Sequence, residues 1–306
     1  MAVDELGKPF QGKVWYWVED TFGGGESITT LPISKKVLDV RIETGDVLAT
    51  KRGIDKPQAD AAIKQVVEPK LHLEYIPQYG DTLLEDVVNR DSCGELQSLA
   101  FYIGANACES DSDDKTHYYV KGAKPNTVRI AGSKNTEYTI SIDFDCKSIA
   151  TESSQVGTEP TPLSGAFCAF NVAGEITKSG GHVVNTNHIA FITNSIEVTI
   201  THKLTPYADH DSLEPDYIIE GELDVEGSVD ITLDGGGGYH FAEVLATTEF
   251  DITVNLGSSG APKLTLTDCQ WKSSAPDINT SGEAMIESAP FFAKPSDITA
   301  IVGTVS

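Results

Sequence analysis

The segment from Glu220 to Asp234 constrains the fold more than any other part of the chain. Its even-numbered positions are acidic or hydroxylated and include Glu222, Asp224, Glu226 and Asp230, whereas its odd-numbered positions are mostly leucine, valine or isoleucine. Successive side chains on a β-strand point to opposite faces. The segment is therefore predicted to form a long strand with one apolar face and one acidic face.

The acidic face has two interpretations. Like charges in a row repel one another, and the neighbouring sequence offers few lysines or arginines to offset them. The face is either a solvated outer surface of a sheet, or it lines a space that must stay negative and must not bind polyanions.

The net negative charge of the chain argues against one functional class, the nucleic-acid-binding proteins. The formal net charge is −24, which argues against nucleic-acid binding because such binding relies on lysine and arginine neutralising phosphates. Residues 151–306 hold 22 acidic and five basic residues, a net charge of −17, against −7 for residues 1–150. The second half is therefore the strongly acidic one.

Chain length and cysteine spacing limit the number of domains and the kinds of cross-link that can be expected. A chain of 306 residues can form two domains, each with its own core. It shows neither an export signal nor an apolar run of ~18 residues, so a soluble protein is expected. The five cysteines are odd in number and far apart, with no C-x-x-C. This favours reduced thiols over a disulfide framework or a zinc site.

The order of patterns indicates an internal duplication. Residues 151–162 are polar, contain two prolines and have no periodicity, so they are predicted to link a first β domain (1–150, with an N-terminal arm) to a second (163–306). At an offset of 158 residues, Val40 falls on Val198 and Ile42 on Ile200. The order strand, long loop, alternating strand, glycine turn, helix and strand then repeats. The expected fold is mainly β, with two tandem β-sandwich or barrel domains, each flanked by one helix.

Local signals place the helices and one hairpin. Residues 81–89 are predicted to form the first helix, capped by Asp81 or Thr82, with four aliphatic residues at helical spacing facing the core. Residues 241–245 suggest its counterpart. Residues 126–146 are predicted to form two strands around a Gly-Ser-Lys-Asn turn.

A search for catalytic and metal-binding patterns gives no positive result. The seven histidines include no H-x-x-x-H, and no G-x-S-x-G, P-loop or dinucleotide motif occurs in a supporting context. The acidic run at residues 109–114 lacks the glycine and final glutamate of a calcium loop, so a solvated turn is expected. We therefore predict no enzymatic activity, no cofactor and no metal site.

Three stretches carry a resemblance to a known family. Residues 128–145, 247–257 and 263–271 resemble, in strand pattern and order, the major tail tube proteins of long-tailed bacterial and archaeal viruses. That resemblance implies tube domains built as β-sandwiches with one helix. It also implies six-domain rings whose inner strands form a continuous barrel, and a long loop that reaches the neighbouring ring. A chain with two such domains could build the ring from three copies.

The same resemblance implies roles for particular residues. The acidic strand residues Glu222, Asp224, Glu226 and Asp230 would face the channel and repel the DNA backbone. The matching face of the first domain is mixed in charge, with Glu68, Lys70, His72 and Glu74. Residues 44–64 and 203–218 are the expected ring-to-ring contact loops.

The resemblance further implies partners and a location. The protein would polymerise around a tape-measure protein, join tail-terminator and tail-tip proteins, and let viral DNA pass without specific binding. It would contact no membrane, and it would be assembled in the host cytoplasm and reside in the virion tail.

Other functional classes stay open. A tandem β-sandwich module that binds carbohydrate or a surface should expose an aromatic cluster, and a hydrolase would need acids that converge from different loops. Adaptation to a high-salt host would also explain the acidity.

Overall fold

The computed structural model describes residues 11–24, 29–45, 48–52, 59–64, 67–91, 93–106, 115–170, 176–179, 191–209, 211–233, 244–257, 260–273, 285–294 and 302–305. In these residues the chain is mainly β, as predicted, and its large sheets are antiparallel. Within the same ranges, no helix has the length and apolar character needed to cross a membrane.

The first set of elements runs from residue 11 to residue 152. It comprises β1 (Gln11–Val18), β2 (Leu31–Pro32), β3 (Val37–Glu43), β4 (Leu48–Arg52), β5 (Ala59–Lys64), β6 (Lys70–Tyr75), α1 (Leu83–Val88), β7 (Leu99–Asn106), β8 (Lys115–Ser133), β9 (Thr139–Asp145) and β10 (Ser148–Glu152).

The second set follows. It comprises β11 (Ile176–Ser179), β12 (Phe191–Thr201), β13 (Thr205–Tyr207), β14 (Tyr217–Ile219), β15 (Asp224–Leu233), β16 (Phe250–Asn255), β17 (Pro262–Trp271), β18 (Met285–Ala293) and β19 (Val302–Val305). Residues 244–246 are helical and are the described part of the predicted second helix.

One sheet runs through both sets without interruption. Its strand order is β3, β6, β9, the end of β8, β12, β15, β18 and the end of β17, and we call it the shared sheet. The beginnings of β8 and β17 belong to two outer layers. In one, β8 pairs with β7 and β10; in the other, β17 pairs with β16 and β19.

The two sets pair their strands in the same order. The first runs β1–β7–β8–β9–β6–β3 and the second runs β11–β16–β17–β18–β15–β12, with β10 and β19 added at β8 and β17 respectively. Each set also inserts a short hairpin at the same place, β4–β5 after β3 and β13–β14 after β12. The predicted loops at 44–64 and 203–218 thus each contain a two-stranded sheet.

Strand β8 is longer than the predicted hairpin arm, because it starts at residue 115 and not at 126. It leaves the outer layer and enters the shared sheet between Gly122 and Thr127. Gly122 has φ of +63°, a conformation that glycine adopts without strain, and the register with β9 shifts between Pro125 and Thr127. One bent strand therefore serves two sheets.

The core lies between the shared sheet and the outer layers. It is a single cluster that draws residues from both sets, including Phe101 and Ile142 from the first and Ile200, Leu264 and Phe291 from the second. Period-two alternation explains this: in β9, for example, every second residue is buried.

Helix α1 has the predicted core role. It is shorter than predicted, and its N-cap, Thr82, makes no side-chain capping bond, while Asp81 Oδ1 accepts a hydrogen bond from Leu83 N–H at 3.0 Å. The four predicted core residues are all buried: Leu83, Leu84, Val87 and Val88. Burial of each such side chain contributes roughly 1.5–3 kcal/mol.

The predicted linker lies against the outer face of β1. Trp15 and Trp17 are buried there with Tyr102 and Tyr119, in a cluster separate from the main core, and Val156 packs against it. Lys13 forms an ion pair with Glu159 at 2.7 Å. These two tryptophans are therefore covered and do not form an exposed aromatic surface.

Candidate functional site

The shared sheet has one face in the core and one polar face. In β15, Val225 and Val229 are buried, while Asp224 and Glu226 on the opposite side are exposed and Asp230 is partly exposed. A row of polar residues crosses neighbouring strands on this face: Asp224, Thr201, Thr127, Asp143, His72 and Arg41. The predicted alternation therefore builds a surface that extends across both sets.

Two predicted members of the acidic face lie before β15. The strand begins at Asp224, so Glu222 precedes it, with an exposed side chain. Glu220 also precedes it and, instead of facing solvent, turns into a buried ion cluster. The strand is therefore shorter at its start than the alternation suggested, and glycine at position 221 lies between these two glutamates.

Cations from distant parts of the sequence neutralise part of this face. Lys203 contacts Asp224 at 2.6 Å, and Lys272 contacts Glu226 at 2.5 Å. The hydrogen bond to Asp224 raises the pKa of Lys203 above its usual value. Asp230 accepts a hydrogen bond from Ser195 Oγ. The three acids that lie on β15 thus all have partners, which the local sequence did not suggest.

The first set supplies a mixed-charge continuation of the same face. Lys70, His72 and Glu74 alternate on β6 with buried Leu71 and Leu73. This agrees with the mixed pattern expected from the sequence for that strand.

One group on this part of the face has the spacing of cation ligands. Asp39, His72 and Glu74 each bring a potential ligand atom within 4.8 Å of the others. Two of the three are already engaged, Asp39 with Arg41 at 2.8 Å and His72 with Asp143 at 2.6 Å. We therefore interpret the group as part of the charge network of the face.

A buried ion cluster joins the two sets. Glu220 contacts Arg90 at 2.6 Å and Lys124 at 2.7 Å, and it accepts a hydrogen bond from Leu96 N–H at 3.0 Å. Burial favours the protonated form of Glu220, but the bonds from Lys124, Leu96 and Arg90 outweigh it and hold the pKa below its usual value. Sequence reasoning missed this cluster, because its members come from distant segments.

His202 lies beside that cluster. It is buried, and its Nδ1 lies 3.4 Å from a guanidinium nitrogen of Arg90. Burial, reinforced by Arg90, lowers the pKa of His202 to about 4. The histidine is therefore neutral near neutral pH and adds no charge to the cluster.

Three further contacts complete what we call the junction between the sets. β8 pairs with β12 over Thr127–Ser133, and on the polar face Arg129 forms an ion pair with Glu197 at 2.9 Å. Leu96, Leu204 and Ile218 form a small buried cluster. In addition, α1 packs against β19.

The β13–β14 hairpin carries an exposed apolar surface, which we call the hairpin patch. It consists of Tyr207, Leu213, Tyr217 and Ile219, each with 44–48% of its surface exposed. The rings of Tyr207 and Tyr217 stack with centroids 4.7 Å apart. Such a concentration of exposed apolar side chains is typical of an interaction surface. All of its residues except Ile219 lie in the segment 203–218, which the sequence predicts to make contacts between rings.

Two sequence expectations fall where the structure offers no description. The acidic run at 109–114, expected to form a solvated turn, lies outside the described residues, and so does one of the seven histidines of the motif search, His210. Both retain only their sequence-based interpretation.

A comparison with known families identifies a relationship. Residues 90–300 match the family model described as "Phage tail tube protein". The match covers more than half of the chain, from the end of the α1 region through β18, and it includes the junction strands and β15. No curated protein matches the chain.

Proposed function

The chain belongs to the phage tail tube protein family, and on this premise we propose that it polymerises as stacked rings into a channel for viral DNA. Membership of this family makes it a structural component of the virion tail. The observation that carries the finer proposal is the shared sheet, whose eight strands run through both sets with one face in the core and one polar face.

Each ring is built from three chains. The proposed domains are residues 1–150 and 163–306, linked by 151–162, and the identical pairing order of the two sets supports a tandem duplication. Three copies then place six similar domains around a closed threefold axis, an arrangement that point-group symmetry permits. The shared sheet of each copy supplies one third of the channel wall.

The polar face of the shared sheet lines the channel. Asp224, Glu226 and Asp230 project from β15 on this face, and Glu222 lies at its rim. A duplex that passes through must not be held by its phosphates, because lysine and arginine bind them through counterion release. Carboxylates that engage the nearby lysines prevent such binding.

Stacking of rings uses the two inserted hairpins. The hairpin patch supplies apolar contact area in the second set, and β4–β5 is its counterpart in the first. We expect replacement of Tyr207 and Tyr217 by serine to leave single rings intact but to prevent their stacking. Electron microscopy would then show separated rings, and full-length tubes would contradict this role.

The protein acts with other tail components. We propose that it polymerises around a tape-measure protein in the host cytoplasm and joins terminator and tip proteins at the ends of the tube. Its role is mechanical and electrostatic, without catalysis or a cofactor.

The first test is electron microscopy of the recombinant protein at low and high salt. Rings or tubes with a central channel and threefold or apparent sixfold symmetry are expected. Assembly only in molar salt would attribute the acidity to a high-salt host. Monodisperse monomers in every condition would reject the ring and favour a binding or adhesion module, for which the stacked pair Tyr207 and Tyr217 would be the first surface to probe.

A charge reversal tests the channel lining separately. Changing both Asp224 and Glu226 to lysine removes two carboxylates, adds two cations and leaves Lys272 without its partner Glu226, so assembled tubes should retain double-stranded DNA at low salt. A filter-binding assay across a salt series measures this. The matched control reverses Asp20 and Glu152, two exposed acids outside the shared sheet. Equal retention by both variants would reject the assignment of β15 to the channel.

A further inference from the structure

A histidine and two carboxylates come together on the polar face where β3 pairs with β6. Asp39 on β3 lies directly opposite Glu74 on β6, and His72 lies two residues before Glu74 on the same face. Each of the three brings a potential ligand atom within 4.8 Å of the others. Like charges that lie directly opposite each other on paired strands repel. The two carboxylates therefore create a negative site that a bound cation would relieve.

The ring of His72 is held by one of its two nitrogens. Its Nδ1 lies 2.6 Å from Asp143 Oδ1. An ionised carboxylate can only accept a hydrogen bond, so Nδ1 carries the hydrogen and Nε2 of the neutral ring keeps its lone pair. In the described part of the chain, Nε2 is shielded from solvent and has no hydrogen-bond partner. A buried polar atom without a partner is costly, and a neutral imidazole nitrogen is a common metal ligand.

The contacts already made by the group leave ligand atoms free. Arg41 Nε bonds to Asp39 Oδ2 at 2.8 Å, which leaves Asp39 Oδ1, just as the bond to Asp143 leaves His72 Nε2. Histidines that bind metals usually donate their other N–H to a carboxylate or carbonyl, and carboxylates that bind metals are hydrogen-bonded in turn. The charge network of the face thus holds two of the three side chains in the way that metal ligands are held.

We propose that Asp39, His72 and Glu74 bind a divalent transition-metal ion, of which zinc fits best. Zinc accepts imidazole and carboxylate ligands and can complete a set of three protein ligands with a water molecule. Magnesium and calcium prefer oxygen ligands, so the imidazole selects against them. Zinc holds its ligands at about 2.0–2.2 Å, so the group must contract around the ion. Its side chains are only partly buried, which gives them room to do so.

The ion would join an edge strand to its neighbour. Among the described strands, β3 pairs only with β6. Ligands from both strands would add a link across this single pairing, and the charge of the ion would cancel that of the two carboxylates. A ligand that binds only the folded chain stabilises it. The site lies within one chain and does not depend on the proposed ring.

Titration of the full-length protein with ZnCl₂ tests the site. The protein would first be treated with a chelator and kept at about pH 7.5, where imidazole is mostly neutral. A Cys93→Ser background removes an exposed thiol that would also bind zinc. We expect saturable binding by calorimetry and a rise in Tm, whereas MgCl₂ at the same concentration should leave Tm unchanged.

An isosteric substitution assigns the binding to this group. Glu74→Gln removes one ligand and also relieves the repulsion with Asp39, so the metal-free variant should be at least as stable as the natural protein. Its zinc affinity should nevertheless fall at least about ten-fold, and the zinc-induced rise in Tm should be lost. The matched control is Glu43→Gln, which removes an exposed carboxylate from the same face of β3. It should keep the zinc affinity and the rise in Tm.

Asp143 is a positioning residue in this proposal, and its role has a separate test. Asp143→Ala should weaken the binding of zinc by about 10–100-fold, as loss of an outer-shell partner of a ligating histidine does. With Co²⁺ as a coloured substitute for zinc, the visible spectrum at saturation should be the same as in the natural protein, and only the midpoint of the titration should move. A purely structural effect on folding would not move the midpoint while preserving the spectrum.

Each alternative outcome overturns the site. An equal zinc response in Glu74→Gln and Glu43→Gln would mean that zinc binds elsewhere on the chain. An equal rise in Tm with magnesium and zinc would show that the carboxylates only attract cations and that His72 is no ligand. Absence of any saturable zinc binding would reject the site outright. None of these measurements requires assembled rings, so their failure would leave the proposed channel intact, and failure to form rings would leave the metal site intact.

Discussion

The buried carboxyl of Asp81 should make the protein less stable as pH rises from about 4 to 7. Asp81 has no exposed surface, and burial raises its pKa from 3.8 to about 7. Between those values the native state holds a proton that the unfolded chain releases, so the free energy of unfolding falls as pH rises. With about 1.4 kcal/mol for each pH unit that separates the two pKa values, the full loss is about 4 kcal/mol and is complete above pH 7.

Replacement of Asp81 by asparagine removes this titration. The amide oxygen can still accept the hydrogen bond from Leu83 N–H. The free energy of unfolding of the variant should therefore exceed that of the natural protein by a margin that grows between pH 5 and 7. Above that range the margin should stay constant, at up to about 4 kcal/mol. Urea denaturation followed by tryptophan fluorescence from pH 5 to 9 measures the difference and avoids the isoelectric region near 4.5.

An exposed aspartate provides the matched control. Backbone N–H groups, that of Glu95 first, lower the pKa of Asp91, so Asp91→Asn should give no advantage that grows between pH 5 and 7. If the difference between Asp81→Asn and the natural protein did not depend on pH, Asp81 would be ionised in the native state and the reasoning would be wrong.

Three further experiments, two with substitutions and one with a thiol reagent, test the packing of the chain. Glu220→Gln leaves two buried cations without an anion and should cost about 3–5 kcal/mol in urea denaturation, whereas the exposed Glu222→Gln should stay within about 0.5 kcal/mol. Gly227→Ala places a methyl group against the Phe291 ring and a backbone carbonyl, and should lower stability by about 1–3 kcal/mol by the same measurement. Burial raises the pKa of Cys168 to about 12, so a thiol reagent at pH 8 should modify it only after unfolding.

Local periodicity was sufficient to predict the elements that need only one apolar face. The stripe of α1 and the alternation of β15 both follow from how often a side chain returns to the same side. The position of Glu220 did not follow. It continues the period of β15, but two cations from distant segments draw it into the junction, and spacing along one segment carries no information about them.

The length of β8 also could not be predicted from the local sequence pattern. A glycine and a proline at positions 122 and 125 interrupt its pattern, and such residues ordinarily end a strand. Here they mark the bend at which the strand passes from one sheet to the other. β17 makes the same passage, and there Asp268 has φ of +52° within the strand. A break in a local pattern and a change of sheet look alike in sequence, and only the partners on either side distinguish them.

The charge of the polar face depends on pairing more than on the count of acids. Four cations on or beside it engage carboxylates, in the pairs Arg41–Asp39, Arg129–Glu197, Lys203–Asp224 and Lys272–Glu226. Paired in this way, they are poor ligands for phosphate, since binding a duplex would require breaking an ion pair. If the polar face lines a channel, as we propose, such a lining can hold both signs of charge and still let DNA slide. The proposal is therefore compatible with a mixed face in the first set beside an acidic one in the second.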